Sequence, residues 1–242
     1  TVNINGQMSF RAVKSLGQTL NDRSVIFAEI QKLAQASAST PVSPQSDLSQ
    51  PGPTPWIKQT LNVDAKSFGV AQPVPVDYYL PQGLKAPAPV IVIAHGFASS
   101  RETFAYLAQH LASQGFAVVA PTFPYTDGQW ISAFLNNTVT LPSGVDMATS
   151  MLRRPRAMTL LLDDLEQKVK TNAAFKLVNP QQVGILGQSL GGYTVLASAG
   201  ARLNFAEIQQ QCNLTNFDKL ILSFNLSLLF ECQLVNAPKK LN

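Results

Sequence analysis

The chain has 242 residues, 45% hydrophobic and only 13% charged, with a net charge of +4. That apolar share drives burial and excludes a chain disordered throughout, and the length suits one large domain or one domain plus a piece of another. No apolar run approaches the ~18 residues of a membrane-crossing helix, and the one tight basic cluster, Arg153, Arg154 and Arg156, has no interleaved aromatics, which argues against a nucleic-acid surface and for a solvated face or a carboxylate partner.

Residues 1–38 read as helical. Phe10, Val13, Leu16 and Leu20 recur at helical spacing, and Val25, Ile26, Ile30 and Leu33 follow in a second amphipathic stretch. Two short helices cannot bury both faces alone, so the expectation is the tail of a larger helical region. Residues 39–55 hold Pro41, Pro44, Pro51, Pro53 and Pro55 among small polar residues. They read as a semi-extended, exposed linker, and the domain boundary falls there.

From Trp56 the pattern changes, and residues 56–242 read as one partial domain. Ile57 to Val63 is an expected strand. Val74, Val76 and Tyr78 alternate with polar neighbours in a second. Pro89 to Ala94 is a continuous β-branched run, the signature of a strand covered on both faces. A helix follows, with Ser99 and Glu102 placed as a capping box and Phe104, Leu107, Ala108 and Leu111 on one face. Gly115 stands where a left-handed residue would end it, and Phe116 to Ala120 is the next buried strand.

Residues 126–152 read as irregular, with Trp130, Phe134 and Met147. A long helix is expected after Pro155, its apolar face made by Met158, Leu161, Leu162, Leu165 and Val169, with Glu166 and Lys170 as an i, i+4 pair. Gln182 to Leu186 is a further buried strand, followed by a helix from about Leu190 to Ala201. Strands alternating with helices imply βαβ units and a mostly parallel sheet. Cys212 and Cys232 form no CxxC pair and have no histidine near them, so no metal site is expected. Their spacing permits a disulfide; the plainer reading is two buried thiols.

The chemistry rests on Gly187-Gln188-Ser189-Leu190-Gly191, a G-x-S-x-G sequence extended by Gly192. It follows an expected buried strand and opens an expected helix, the setting in which such a turn presents a serine hydroxyl above a sheet. The turn is so sharp that side chains at 187 and 191 would collide, hence the glycines. The hydroxyl then lies at a helix N-terminus, where developing negative charge is favoured. The second element is His95-Gly96-Phe97, directly after the Pro89–Ala94 run. An acyl-transfer intermediate needs two amide donors fixed in advance. Those of Leu190 and Phe97 are the candidates, with Gly96 letting the backbone come close. His95 sits on the element that carries this loop, which suits a structural hydrogen bond rather than a catalytic base. His110 reads as a surface histidine.

The stretches VIVIAHGFASSRETFAYLAQHLASQGFAVVAPTFP, RRPRAMTLLLDDLEQ and VGILGQSLGGYTVLASAGA resemble the α/β-hydrolase superfamily. The likeness is to bacterial dienelactone-hydrolase-like proteins and platelet-activating-factor acetylhydrolases, over roughly Trp56 to Ala201. The helical segment and Pro-rich linker are similar to a cyanobacterial subgroup with a helical N-terminal domain. The resemblance implies an α/β-hydrolase fold, Ser189 as nucleophile, Phe97 and Leu190 as oxyanion amides, a small-molecule ester substrate and no cofactor or metal. Gln188 stands where such proteins often have histidine, at a position outside the catalytic triad. Dienelactone hydrolases proper use a cysteine nucleophile; serine here favours ester hydrolysis.

A serine nucleophile needs a base, and in this fold the order is Ser, then Asp or Glu, then His. No histidine follows Ser189; the later carboxylates include Glu207, Asp218 and Glu231. Asp218 is the candidate acid, though its setting reads as a surface excursion. The chain also starts at Thr1. The expectation is a fragment whose remaining strands, acid and histidine lie beyond Asn242, so that these residues alone are inactive. The competing reading is a non-catalytic binding module of the same fold. The 126–152 segment, with Trp130 and Phe134, is a candidate cover for the site that meets an apolar acyl or alcohol group; core packing explains the same aromatics equally well. The sequence gives no oligomeric state.

Overall fold

A computed structural model of the chain describes residues 49–64, 73–140 and 147–212, together with Ala28, Lys32 and Cys232. The expected helices over 1–38 lie outside the described residues except for Ala28 and Lys32, which are helical, as do residues 39–48 of the linker. The chain divides into two units, Leu48–Asn204 with Asn236–Asn242, and Thr1–Asp47 with Phe205–Val235.

The first unit is built on five strands: β1 (Trp56–Val63), β2 (Val74–Pro81), β3 (Ala88–Ala94), β4 (Ala117–Pro121) and β5 (Val178–Gly187). Among the described residues they form one sheet in the order β1-β2-β4-β3-β5. β1 and β2 are antiparallel, as are β2 and β4, whereas β3 runs parallel to both β4 and β5. The sheet is thus mixed, with a parallel half that carries the Gly-rich turn. The helices are α1 (Ala105–Ser113), α2 (Gly128–Leu135), α3 (Met147–Thr171) and α4 (Leu190–Ser198), with a single 3₁₀ turn at Ala173–Phe175. No helix among the described residues is long and apolar enough to cross a membrane.

Successive side chains of a strand point to opposite faces, and both faces of this sheet are covered. Tyr78, Val92 and Val119 meet Met158, Leu161 and Leu165 of α3 on one side. Tyr79, Ile93 and Val118 meet Ala108 and Ala112 of α1 on the other. This two-sided cover explains why β3 and β4 are apolar without alternation. It also overturns the alternating reading of β2, whose residues are buried on both faces apart from half-buried Pro75.

Several local expectations change. α3 does not wait for Pro155; it begins at Met147 and carries the proline inside it. An interior proline removes one helical hydrogen bond at a cost of about 3 kcal/mol, against which stand the burial of Met151 and the hydrogen bonds of Arg154 on the turns before it. The 126–152 stretch is not irregular throughout, because Asp127 caps α2 by accepting from the Trp130 amide at 2.9 Å. The Ser99/Glu102 capping box does not form. Ser99 donates its hydroxyl to Thr103 Oγ1 and Glu102 pairs with Arg101, while α1 starts later, after Phe104. Glu166 accepts from Gln181 Nε2, and the i, i+4 ion pair of α3 is Asp164 with Lys168.

The end of the linker lies on α1. The amides of Gly52 and Thr54 donate to the hydroxyl and main-chain oxygen of Ser113. A side chain at position 52 would overlap that oxygen, so this approach requires glycine. In the second unit, helix α5 (Phe205–Cys212) ends in a disulfide between Cys212 and Cys232. The two-thiol reading is therefore replaced by the pairing that the spacing permitted.

Candidate active site

β5 runs into α4 through Gln188 and Ser189. Ser189 has φ 55° and ψ −119°, a left-handed conformation costly for a residue with a side chain. Packing imposes it. A Cβ on Gly187 would overlap the Gly191 carbonyl, and a Cβ on Gly191 would overlap the carbonyl of Ala94. Only with hydrogen at both positions can α4 start so close to the ends of β5 and β3. The Gly191 amide donates to Gln188 O at 2.9 Å and the Tyr193 amide to Ser189 O at 3.2 Å, which closes the turn. Ser189 is exposed while Leu190, one residue on, is buried. The hydroxyl therefore stands at a helix N-terminus, where the helix dipole favours developing negative charge.

The His95-Gly96-Phe97 segment leaves β3 beside this turn. A Cβ on Gly96 would lie 3.4 Å from Ser189 Cβ and 3.2 Å from Gln188 O. The structure thus brings Gly96, Gln188 and Ser189 together, with Phe97 next in the chain.

His95 is almost fully buried and both its ring nitrogens are engaged. Nε2 accepts from the Phe123 amide at 2.9 Å, so the proton resides on Nδ1, which donates to Gly96 O at 2.8 Å. Burial, reinforced by the Arg154 charge, pushes its pKa down to about 4. The ring is a neutral structural strut between the ends of β3 and β4, as the sequence implied.

Sequence reasoning missed Arg154. The Arg153, Arg154 and Arg156 cluster reads as a solvated face or a carboxylate partner, yet Arg154 is 2% exposed. Nη1 donates to His95 O at 2.7 Å, Nη2 donates to Thr126 Oγ1 at 2.8 Å, and the guanidinium lies 4.3 Å from the Phe123 ring centroid. Burial lowers its pKa to about 9, with the Asp127 charge opposing, which leaves it cationic at neutral pH. A signal was present: Arg154, Met158, Leu161 and Leu165 follow one another at helical spacing on a single stripe, hidden by the assumption that Pro155 starts the helix.

His110 is half-buried near the C-terminus of α1, just before the chain enters the start of β4. That is the end of the parallel strands opposite to Ser189. Asp218 and Glu231 lie outside the described residues, and Glu207 is in α5 of the other unit. Among the described residues no group of three or more His, Cys, Asp or Glu side chains is placed to hold a metal ion.

The family model of the dienelactone hydrolase family matches residues 76–208, which run from within β2 through α4 and include Gly96, Phe97, Gly187, Gln188, Ser189, Leu190 and Gly191. The chain belongs to the dienelactone hydrolase family. It is thereby a member of a family of hydrolases acting on small molecules within the α/β-hydrolase superfamily, and the mixed sheet flanked by helices agrees with that fold. No individual curated protein matches the chain.

Proposed function

We propose that the protein is a serine hydrolase of carboxylic esters that works through an acyl-enzyme on Ser189. The observation that carries this reading is the backbone of Ser189, φ 55° at a strand-to-helix turn whose flanking glycines leave no room for a side chain. Strain of this kind persists where the surroundings impose it and clusters at catalytic positions. In the proposed step Ser189 Oγ attacks the ester carbonyl, its proton passes to a base, and the carbonyl electron pair moves onto oxygen. The amides of Leu190 and Phe97 hold that oxyanion. Collapse of the intermediate expels the alcohol, which takes a proton from the base, and water then releases the acid by the same route. The proximity of Gly96 to Ser189 supports Phe97 as the second donor.

The base is not one of the two histidines in these residues. His95 has both nitrogens committed, and His110 lies at the other end of the sheet. The proposal therefore requires a base other than these two histidines. The same observation favours a second reading, in which the unit is a non-catalytic binding module. Assaying the complete protein on short p-nitrophenyl esters separates the two. Hydrolysis lost in Ser189→Ala supports the enzyme; no hydrolysis by the complete, folded protein supports the binding module.

A further inference from the structure

A cleft of about 920 Å³ opens on the carboxyl-end side of β3 and β4, where the Ser189 turn also lies. Its size is that of a pocket for a whole organic group rather than a water site. Pro73, Pro124, Tyr125, Trp130, Ala133 and Val139 make its apolar walls. Tyr125 meets Trp130 edge-on at 5.6 Å, and Phe134 stacks behind the same indole at 5.1 Å, so the aromatic wall is buttressed.

The walls are stitched to each other. The Ala98 amide donates to Thr126 O at 2.9 Å and the Gly128 amide to Ser99 O at 2.8 Å. Two non-glycine residues that line the cleft, Ala98 and Tyr125, hold left-handed backbone at φ 53° and 64°. Such strain is kept where a preformed surface is needed. The cationic side chain at the rim, Arg101, is ion-paired to buried Asp77 and to Glu102. Asp127 is occupied as the cap of α2. Among the described residues the lining therefore offers no unpaired cation to a carboxylate and suits an uncharged ligand.

The cleft also lies at the right reach. Ala98 is two peptide steps from Gly96, at most about 7.6 Å between Cα atoms, and Gly96 is packed against Ser189. Resting on the assignment of Ser189 above, we infer that the cleft receives a bulky, uncharged aryl group of the ester, held against Trp130 and Tyr125 several bonds from the carbonyl. The selected substrates are arylacyl or arylalkyl esters rather than short aliphatic or anionic ones.

The test reads binding without turnover. In the complete protein carrying Ser189→Ala, indole emission is titrated with ethyl phenylacetate, phenylacetate anion and ethyl acetate. The inference expects a saturable change with ethyl phenylacetate that is absent in Trp130→Phe and at least tenfold weaker for the other two compounds. Ala133→Trp, a change on the partly exposed side of α2, weakens it at least tenfold while far-UV circular dichroism stays unchanged. Equal binding of the anion, a response that survives Trp130→Phe, or an unaltered response in Ala133→Trp overturns the inference. Fluorophosphonate labelling of the parent protein is scored separately. Labelling of Ser189 without aryl binding rejects the cleft alone, and aryl binding without labelling rejects the nucleophile alone.

Discussion

Arg154 of α3 donates to the main-chain oxygen of His95 at 2.7 Å, and His95 in turn donates to the oxygen of Gly96 at 2.8 Å. A buried cation thus sets the backbone on which the second proposed oxyanion donor depends. Arg154→Ala leaves the His95 carbonyl and the Thr126 hydroxyl without this donor in the interior. The expected loss is about 3 kcal/mol, measured as a shift in the urea midpoint. Arg154→Lys retains the charge but not the forked donors, and is expected to recover only part of that loss.

The glycines of the turn divide sharply. A methyl on Gly191 would overlap the Ala94 carbonyl, whereas one on Gly192 would meet the Gly187 oxygen at an ordinary 3.7 Å. Gly191→Ala is expected to prevent the turn from closing, leaving the protein insoluble or unreactive at Ser189. Gly192→Ala, inside a helix, is expected to be tolerated and to gain up to about 1 kcal/mol. Soluble yield and thermal melting of the two variants check this contrast.

The His95 ring gives a pH signature. Its folded pKa is depressed to about 4, against about 6.5 unfolded. Between these values the unfolded state binds the proton and the native state does not, so stability rises with pH through that window. The contribution is full above about pH 6.5 and falls by about 3 kcal/mol towards pH 4. Urea titrations at a series of pH values should show this slope, and His95→Asn, which lacks the titrating ring, should lose much of it.

Much of this arrangement was legible in the residues. The apolar runs of β3 and β4, the faces of α1 and α3 and the G-x-S-x-G turn each follow from local pattern, because side-chain periodicity and steric need are local properties. Gly115, expected to be left-handed, has φ 94°. What failed depended on tertiary context. Pro155 reads as a helix start, yet buried contacts carry α3 back to Met147. Gln182 to Leu186 reads as a covered strand, but among the described residues β5 is an edge strand with Leu186 41% exposed. An apolar run cannot encode how many neighbours it has. Arg154 was misplaced for the same reason, since nothing in a three-arginine cluster says which one turns inward. The short helix α2 has too few residues for periodicity to register and is set by its Asp127 cap.

The central claim concerns the Ser189 hydroxyl, and covalent capture tests it most directly. The complete protein is treated with a fluorophosphonate probe and digested, and the modified peptide is sequenced by mass spectrometry. The account predicts a single adduct on Ser189, absent after denaturation and absent in Ser189→Ala. An adduct on another serine, or none on the folded protein, would contradict it.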